Sequence, residues 1–102
     1  MIVRTKIENE ELLRESFIKV VVDIRRNILA LGCEFHVDCA EELMNDGSNG
    51  RDLWGANVYP QEKAVEFTSL INIRPAQGNR TMLIEDRVLQ EKMRSIINKK
   101  IQ

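Results

Sequence analysis

Three stretches of this chain alternate apolar and polar residues with a period of two, and each has one face far more apolar than the other. Over residues 33–37, Cys33, Phe35 and Val37 oppose Glu34, His36 and the following Asp38. Over residues 52–59, Trp54, Ala56 and Val58 oppose Gly55, Asn57 and Tyr59. Over residues 64–74, Val65, Phe67, Ile71 and Ile73 oppose Thr68, Asn72 and Arg74. Successive side chains of a strand point to opposite sides, so each run predicts a strand covered on one face. The four residues 60–63 between the second and third runs predict a hairpin.

The flanking segments follow a different period. Leu13, Phe17, Val20, Val21, Ile24, Ile28 and Leu31 recur at steps of three and four. That spacing predicts one long helix over 10–31, with Gly32 where a C-terminal cap belongs. The β-branched run Val20-Val21-Val22 supports a competing strand over 17–24, with Arg25-Arg26-Asn27 as its turn. A second helix is expected over 85–100, where Leu89, Met93, Ile96 and Ile97 form one stripe. Asp86 near its start and Lys99 and Lys100 near its end suit the helix dipole. Residues 2–4 read as a short strand, 40–44 as a short helix with Asp38 as N-cap, and 46–50 as a loop.

Together these elements predict an α+β fold: a two-layer sandwich with a mostly antiparallel sheet of three to four strands and two main helices on one face. Cys33, Phe35, Val37, Trp54, Val58, Phe67, Ile71 and Ile73 are then assigned to the core. Trp54 serves there as an anchor rather than as a stacking platform. At 102 residues the chain fits a single domain over 1–102.

Composition narrows the function classes. The chain is 43% hydrophobic and 30% charged, as an ordinary globular protein is, and its formal net charge of -1 disfavours general nucleic-acid binding. No apolar stretch approaches the roughly 20 residues of a membrane helix. Residues 1–6 lack the apolar core of a signal peptide, so a soluble, cytoplasmic protein is expected. Cys33 and Cys39 lack the pairwise spacing of a zinc site. They are expected as free thiols, Cys33 buried and Cys39 near a loop, with a disulfide between them as the alternative.

The polar face of the predicted sheet gathers Glu34, His36, Asp38, Asn57, Asn72 and Arg74. Beyond it, the turn from Arg74 to Arg80 adds Gln77 and Asn79. A turn needs only Gly, Pro or Asn for its geometry, whereas two arginines bring planar donor forks suited to a carboxylate or phosphate. The spacing is not that of a P-loop. The expected function is therefore binding of a small anionic ligand, phosphate or nucleotide-like, at the polar face closed by that turn. The candidate residues are Glu34, His36, Asp38, Asn57, Asn72, Arg74, Gln77, Asn79 and Arg80.

Other readings stand beside this one. Antiparallel sheets often carry a solvated face, and the arginines have Glu34, Asp38 and Asp86 as partners within the protein. A protein-interaction module or homodimer would cover the open face or edge. A metal-dependent enzyme would use Glu34, His36 and Asp38, although same-face residues of a strand lie about 7 Å apart. No reaction is named by these residues, no metal ligand or catalytic group is assigned, and no cofactor is expected.

The segments VVDIRRNILALGCEFHVD (21–38), DLWGANVYP (52–60) and SLINIRPAQGNR (69–80) resemble a small family of uncharacterised archaeal and bacterial proteins, the domain of unknown function DUF5674. The resemblance implies a single compact α+β domain and carries no established activity. The matching positions include Asp23, Glu34, His36, Asp38, Trp54, Gly55, Asn57, Asn72, Arg74, Gln77, Asn79 and Arg80. Where that family often has Gly-Gly, this chain has Gly32-Cys33.

Overall fold

Val20, Val21 and Val22 are all fully buried, so the segment that contains them has no solvent face. A helix packed by one stripe cannot achieve this, but a central strand covered on both sides can. In the computed structural model, which describes residues 1–8 and 10–101, the helix expected over 10–31 is replaced by three elements. These are a four-residue helix α1 (Glu10–Leu13), a strand β2 (Ile18–Asp23) and a strand β3 (Ile28–Leu31). The competing strand reading was the right one. Asp23 makes the turn: its Oδ1 accepts from the backbone N–H groups of Arg25 and Arg26, both at 2.9 Å. Asn27 adopts a φ of 57°, a left-handed conformation that asparagine tolerates better than most residues.

The remaining strands are β1 (Ile2–Val3), β4 (Leu53–Tyr59) and β5 (Ala64–Glu66). These five strands pair antiparallel throughout, in the order β1-β3-β2-β4-β5. The register sets Val21 beside Gly55 and Lys19 beside Asn57. The fold is α+β as expected, with five strands among the described residues where three to four were expected.

The helices divide between the two sheet faces instead of sharing one. Helix α3 (Arg87–Lys100) packs Met93, Ile96 and Ile97 against Val20, Val22, Leu29, Leu31, Trp54 and Val58. Helix α2 (His36–Asn45) packs Cys39, Ala40 and Leu43 against Val21, Ile28, Ala30 and Leu53. The cause lies in β2 and β3, which are apolar on both sides and leave neither side fit for solvent. No helix among the described residues is long and apolar enough to cross a membrane.

Three further expectations give way here. Residues 33–37 are not a strand: the chain leaves β3 at Gly32, whose φ is 81°, and begins α2 at His36. Phe35 occupies the N-cap position without a side-chain cap, and Asp38 falls in the first turn instead. Phe35 and Val37 are therefore 56% and 50% exposed rather than in the core. The same turn brings the two cysteines to a Cα–Cα separation of 5.7 Å, and they form a disulfide rather than free thiols. Of the run over 64–74, only Ala64–Glu66 is strand. Phe67 is buried, Ile71 is half-buried against the α2 side, and Ile73 is 43% exposed. The C-terminal helix and its start agree with expectation: Asp86 Oδ1 accepts from Val88 N at 2.9 Å and Leu89 N at 3.3 Å.

Candidate functional site

Strand β4 is more than twice as long as its outer neighbour, with seven residues against three. β5 pairs only with Asn57, Val58 and Tyr59, so the edge from Leu53 to Gly55 has no strand beside it. Buried backbone groups need partners, and side chains supply them. The Asn72 carboxamide accepts from Gly55 N at 2.8 Å and donates to Gly55 O at 3.0 Å and Met82 O at 3.2 Å. Arg74 donates to the Leu53 carbonyl, to Ile71 O and Gly50 O at 3.0 Å, and to Arg51 O at 3.2 Å. Its guanidinium lies 4.4 Å from the centre of the Trp54 ring. Burial lowers its pKa from the ordinary value.

The segment that follows is held the same way. Asn79 Nδ2 donates to Asn72 O, Thr81 O and Leu83 O, while its Oδ1 accepts from Glu85 N. Gln77 Nε2 donates to Arg51 O. Arg74 and Asn79 also pair through their backbones, closing a loop in which Gly78 takes a φ of 84°. Four of the nine candidate residues, Asn72, Arg74, Gln77 and Asn79, thus converge on backbone groups of their own chain. Arg80 is exposed beside them. A long irregular segment between regular elements must satisfy its backbone with side chains, and its density of Asn, Gln and Arg was the signal for that role.

The other four candidates lie elsewhere. Glu34 and Asp38 are exposed around the start of α2, and the Glu34 carbonyl accepts from Lys19 Nζ at 2.7 Å. His36, the first residue of α2, meets the Ala56 carbonyl through Nε2 at 2.9 Å. A carbonyl can only accept, so the ring's proton is on Nε2 and Nδ1 carries the lone pair in the neutral form. Burial lowers the His36 pKa and the charge of Lys19 acts in the same direction, against the hydrogen bonds of Ala56 and Asn57. Asn57 donates to Glu66 Oε1 at 2.9 Å across the β4–β5 pair. Glu34, His36 and Asp38 share no centre: no group of three or more His, Cys, Asp or Glu among the described residues is placed to hold a metal ion.

Between these two regions lies a groove of about 530 Å³. Its floor is the part of the sheet that α2 does not cover, with Lys19, Asn57, Tyr59 and Glu66. Phe35 and Val37 form one wall, Leu70, Ile71 and Met82 the other, and Phe17 lies at 6.0 Å from the Tyr59 ring. Leu70 is 72% exposed. His36 and Asn57 therefore line the groove together, whereas Arg74 and Arg80 do not. Alternation along 33–37 had assigned Phe35 and Val37 to the core, which concealed this wall. Lys19 was hidden by the helical period of its segment.

A family model described as DUF5674, protein of unknown function, matches residues 1–100, and the chain belongs to that family. Comparison with curated proteins and with solved structures gives no match.

Proposed function

We propose that this DUF5674 domain binds a small molecule with an apolar body and an anionic group in the groove between α2 and the segment 68–82. The observation that carries the reading is the combination of volume and lining. About 530 Å³ lies within the range of small-molecule sites, and such sites are mostly apolar with a few placed polar groups. Phe35, Val37, Leu70 and Met82 supply the apolar walls. Among the described residues Lys19 is the one lysine or arginine on the lining, which favours a carboxylate or phosphate at that end.

The arginine-bearing turn contributes indirectly. Arg74 and Asn72 hold the segment 69–74 against β4, and that segment is one side of the groove. The anion-binding role expected of the turn passes to Lys19.

Phenyl phosphate, with inorganic phosphate as control, tests this by NMR titration. Amides of Lys19, Phe35, Val37, Leu70 and Met82 should shift with phenyl phosphate at millimolar concentration. Lys19→Met should weaken binding about three- to tenfold. A silent groove overturns the reading, and shifts confined to residues 74–80 with both probes would return the site to the turn. If the domain instead pairs through the exposed Leu70 side, the same amides will change with protein concentration and without ligand.

A further inference from the structure

The two sulfurs of the Cys33–Cys39 disulfide occupy different environments. Cys39 is 1% exposed, packed among Val21, Ile28, Ala40 and Leu43. Cys33 is half-buried and borders a second cleft of about 270 Å³, which also touches Phe17, Lys19 and Glu34. Phe17 and Lys19 line both this cleft and the groove described above.

We propose that the Cys33–Cys39 disulfide is a thiol–disulfide exchange site for a low-molecular-weight thiol, which enters at Cys33 and, by opening the ring, releases a wall of the groove. Exchange requires a thiolate to reach a sulfur in line with the bond that breaks, so access selects the attacked atom. Cys33 is the more exposed of the two and borders the cleft, whereas Cys39 is 1% exposed, which favours entry at Cys33. The thiolate bonds to Cys33 Sγ, and the electron pair of the S–S bond leaves on Cys39 Sγ, which takes a proton. A second thiolate attacks the sulfur of the bound thiol and releases the small-molecule disulfide. Cys33 leaves as a thiolate and is protonated. Two thiols are oxidised to one disulfide, and the protein disulfide is reduced to two thiols.

The ring closed by this bond contains Phe35, His36 and Val37, all on the groove. Besides the disulfide, two hydrogen bonds tie this ring to the sheet: Lys19 Nζ to the Glu34 carbonyl at 2.7 Å and His36 Nε2 to the Ala56 carbonyl at 2.9 Å. The Lys19 ammonium also lies 5.2 Å from the Phe35 ring centre. The α3 face of the sheet keeps its packing in either redox state, because its core and the five-stranded ladder do not involve the sulfurs, whereas Cys39 belongs to the α2-side core. The consequence for ligand binding rests on the groove reading, whereas the exchange itself does not.

The folded, oxidised protein is treated with millimolar reduced glutathione, quenched with acid, alkylated and mapped by mass. The adduct should appear on Cys33 about tenfold or more over Cys39. Amides of Phe35, His36 and Val37 should move on reduction while those of Val22, Leu29 and Trp54 stay. A disulfide that resists reduction until the protein is denatured overturns the proposal, as does an adduct on Cys39 or loss of the whole folded spectrum. Single variants give a second measurement. With oxidised glutathione, Cys39→Ser should form a mixed disulfide and folded Cys33→Ser should not, and equal reactivity counts against entry at Cys33. Phenyl phosphate titrations of the two redox forms read the coupling separately. Equal shifts in both forms overturn control of the groove, and silence in both forms with a Cys33 adduct present counts against the groove reading alone.

Discussion

The side chain of Asn72 pairs with both backbone groups of Gly55, standing where a neighbouring strand would otherwise lie. Gly55 has to be glycine for this to happen. A Cβ there would lie 2.6 Å from Ser69 Cβ and 3.2 Å from Ile71 Cγ1. The missing side chain and the carboxamide are two parts of one joint, and it fixes one side of the candidate groove.

Gly55→Ala should cost about 1–3 kcal/mol by overpacking. Asn72→Ala should cost a similar amount or more, because it leaves the Gly55 N–H and C=O buried without partners. Urea denaturation checks both. Gly55→Ala combined with Ser69→Gly should be less destabilised than the sum of the single changes, and strict additivity would mean that the close approach is not the cause.

Arg74→Lys should behave as a non-conservative change. One ammonium cannot bond the separate carbonyls of Gly50, Leu53 and Ile71, nor lie flat on Trp54. A loss of about 1–3 kcal/mol is expected, with a shift in emission from Trp54, the chain's single tryptophan. Unchanged fluorescence and stability would show that the clamp is dispensable.

Two groups give the stability a pH dependence. The Asp46 carboxyl lies below its usual range because Arg4 hydrogen-bonds it at 2.6 Å and Arg26 at 2.8 Å. A depressed folded-state pKa gives stability that is present above the unfolded value, about 3.9, and is lost as pH falls through the folded one. His36 is also depressed, here by burial. Its neutral form belongs to the folded state, so its contribution is present above about pH 6.5 and declines as pH falls below that. Asp46→Asn should flatten the acid limb of a stability–pH curve, and His36→Gln should flatten the region just below neutrality. A wild-type curve flat between pH 7 and 5 would remove the His36 assignment.

Much of the sheet was legible in the sequence. Strand β4 and its hairpin to β5 show in the alternation around Trp54, Val58 and Val65, because one face of each meets solvent or polar groups. Helix α3 shows in its apolar stripe for the same reason, and Asp86, read as suiting the helix dipole, proved to be its cap. Strands β2 and β3 did not show as cleanly. A strand apolar on both faces has no alternation, and Val20, Val21, Ile24, Ile28 and Leu31 happened to satisfy a helical period.

The candidate site was legible as a set of residues and not as a set of roles. Local sequence marked residues 74–80 as a polar, arginine-bearing turn but read 64–74 before it as one strand, of which only Ala64–Glu66 is strand. Which groups the side chains of Asn72 and Arg74 would meet depended on the unpaired edge of β4, which lies 17 or more residues away for both. Tertiary packing likewise decided that Phe35 and Val37 wall a groove, while the turn into α2 brought Cys33 to Cys39. The physical reason is that periodicity reports which face of an element is apolar. Only the packed structure sets what lies against each face and which hydrogen-bonding groups are left for a ligand.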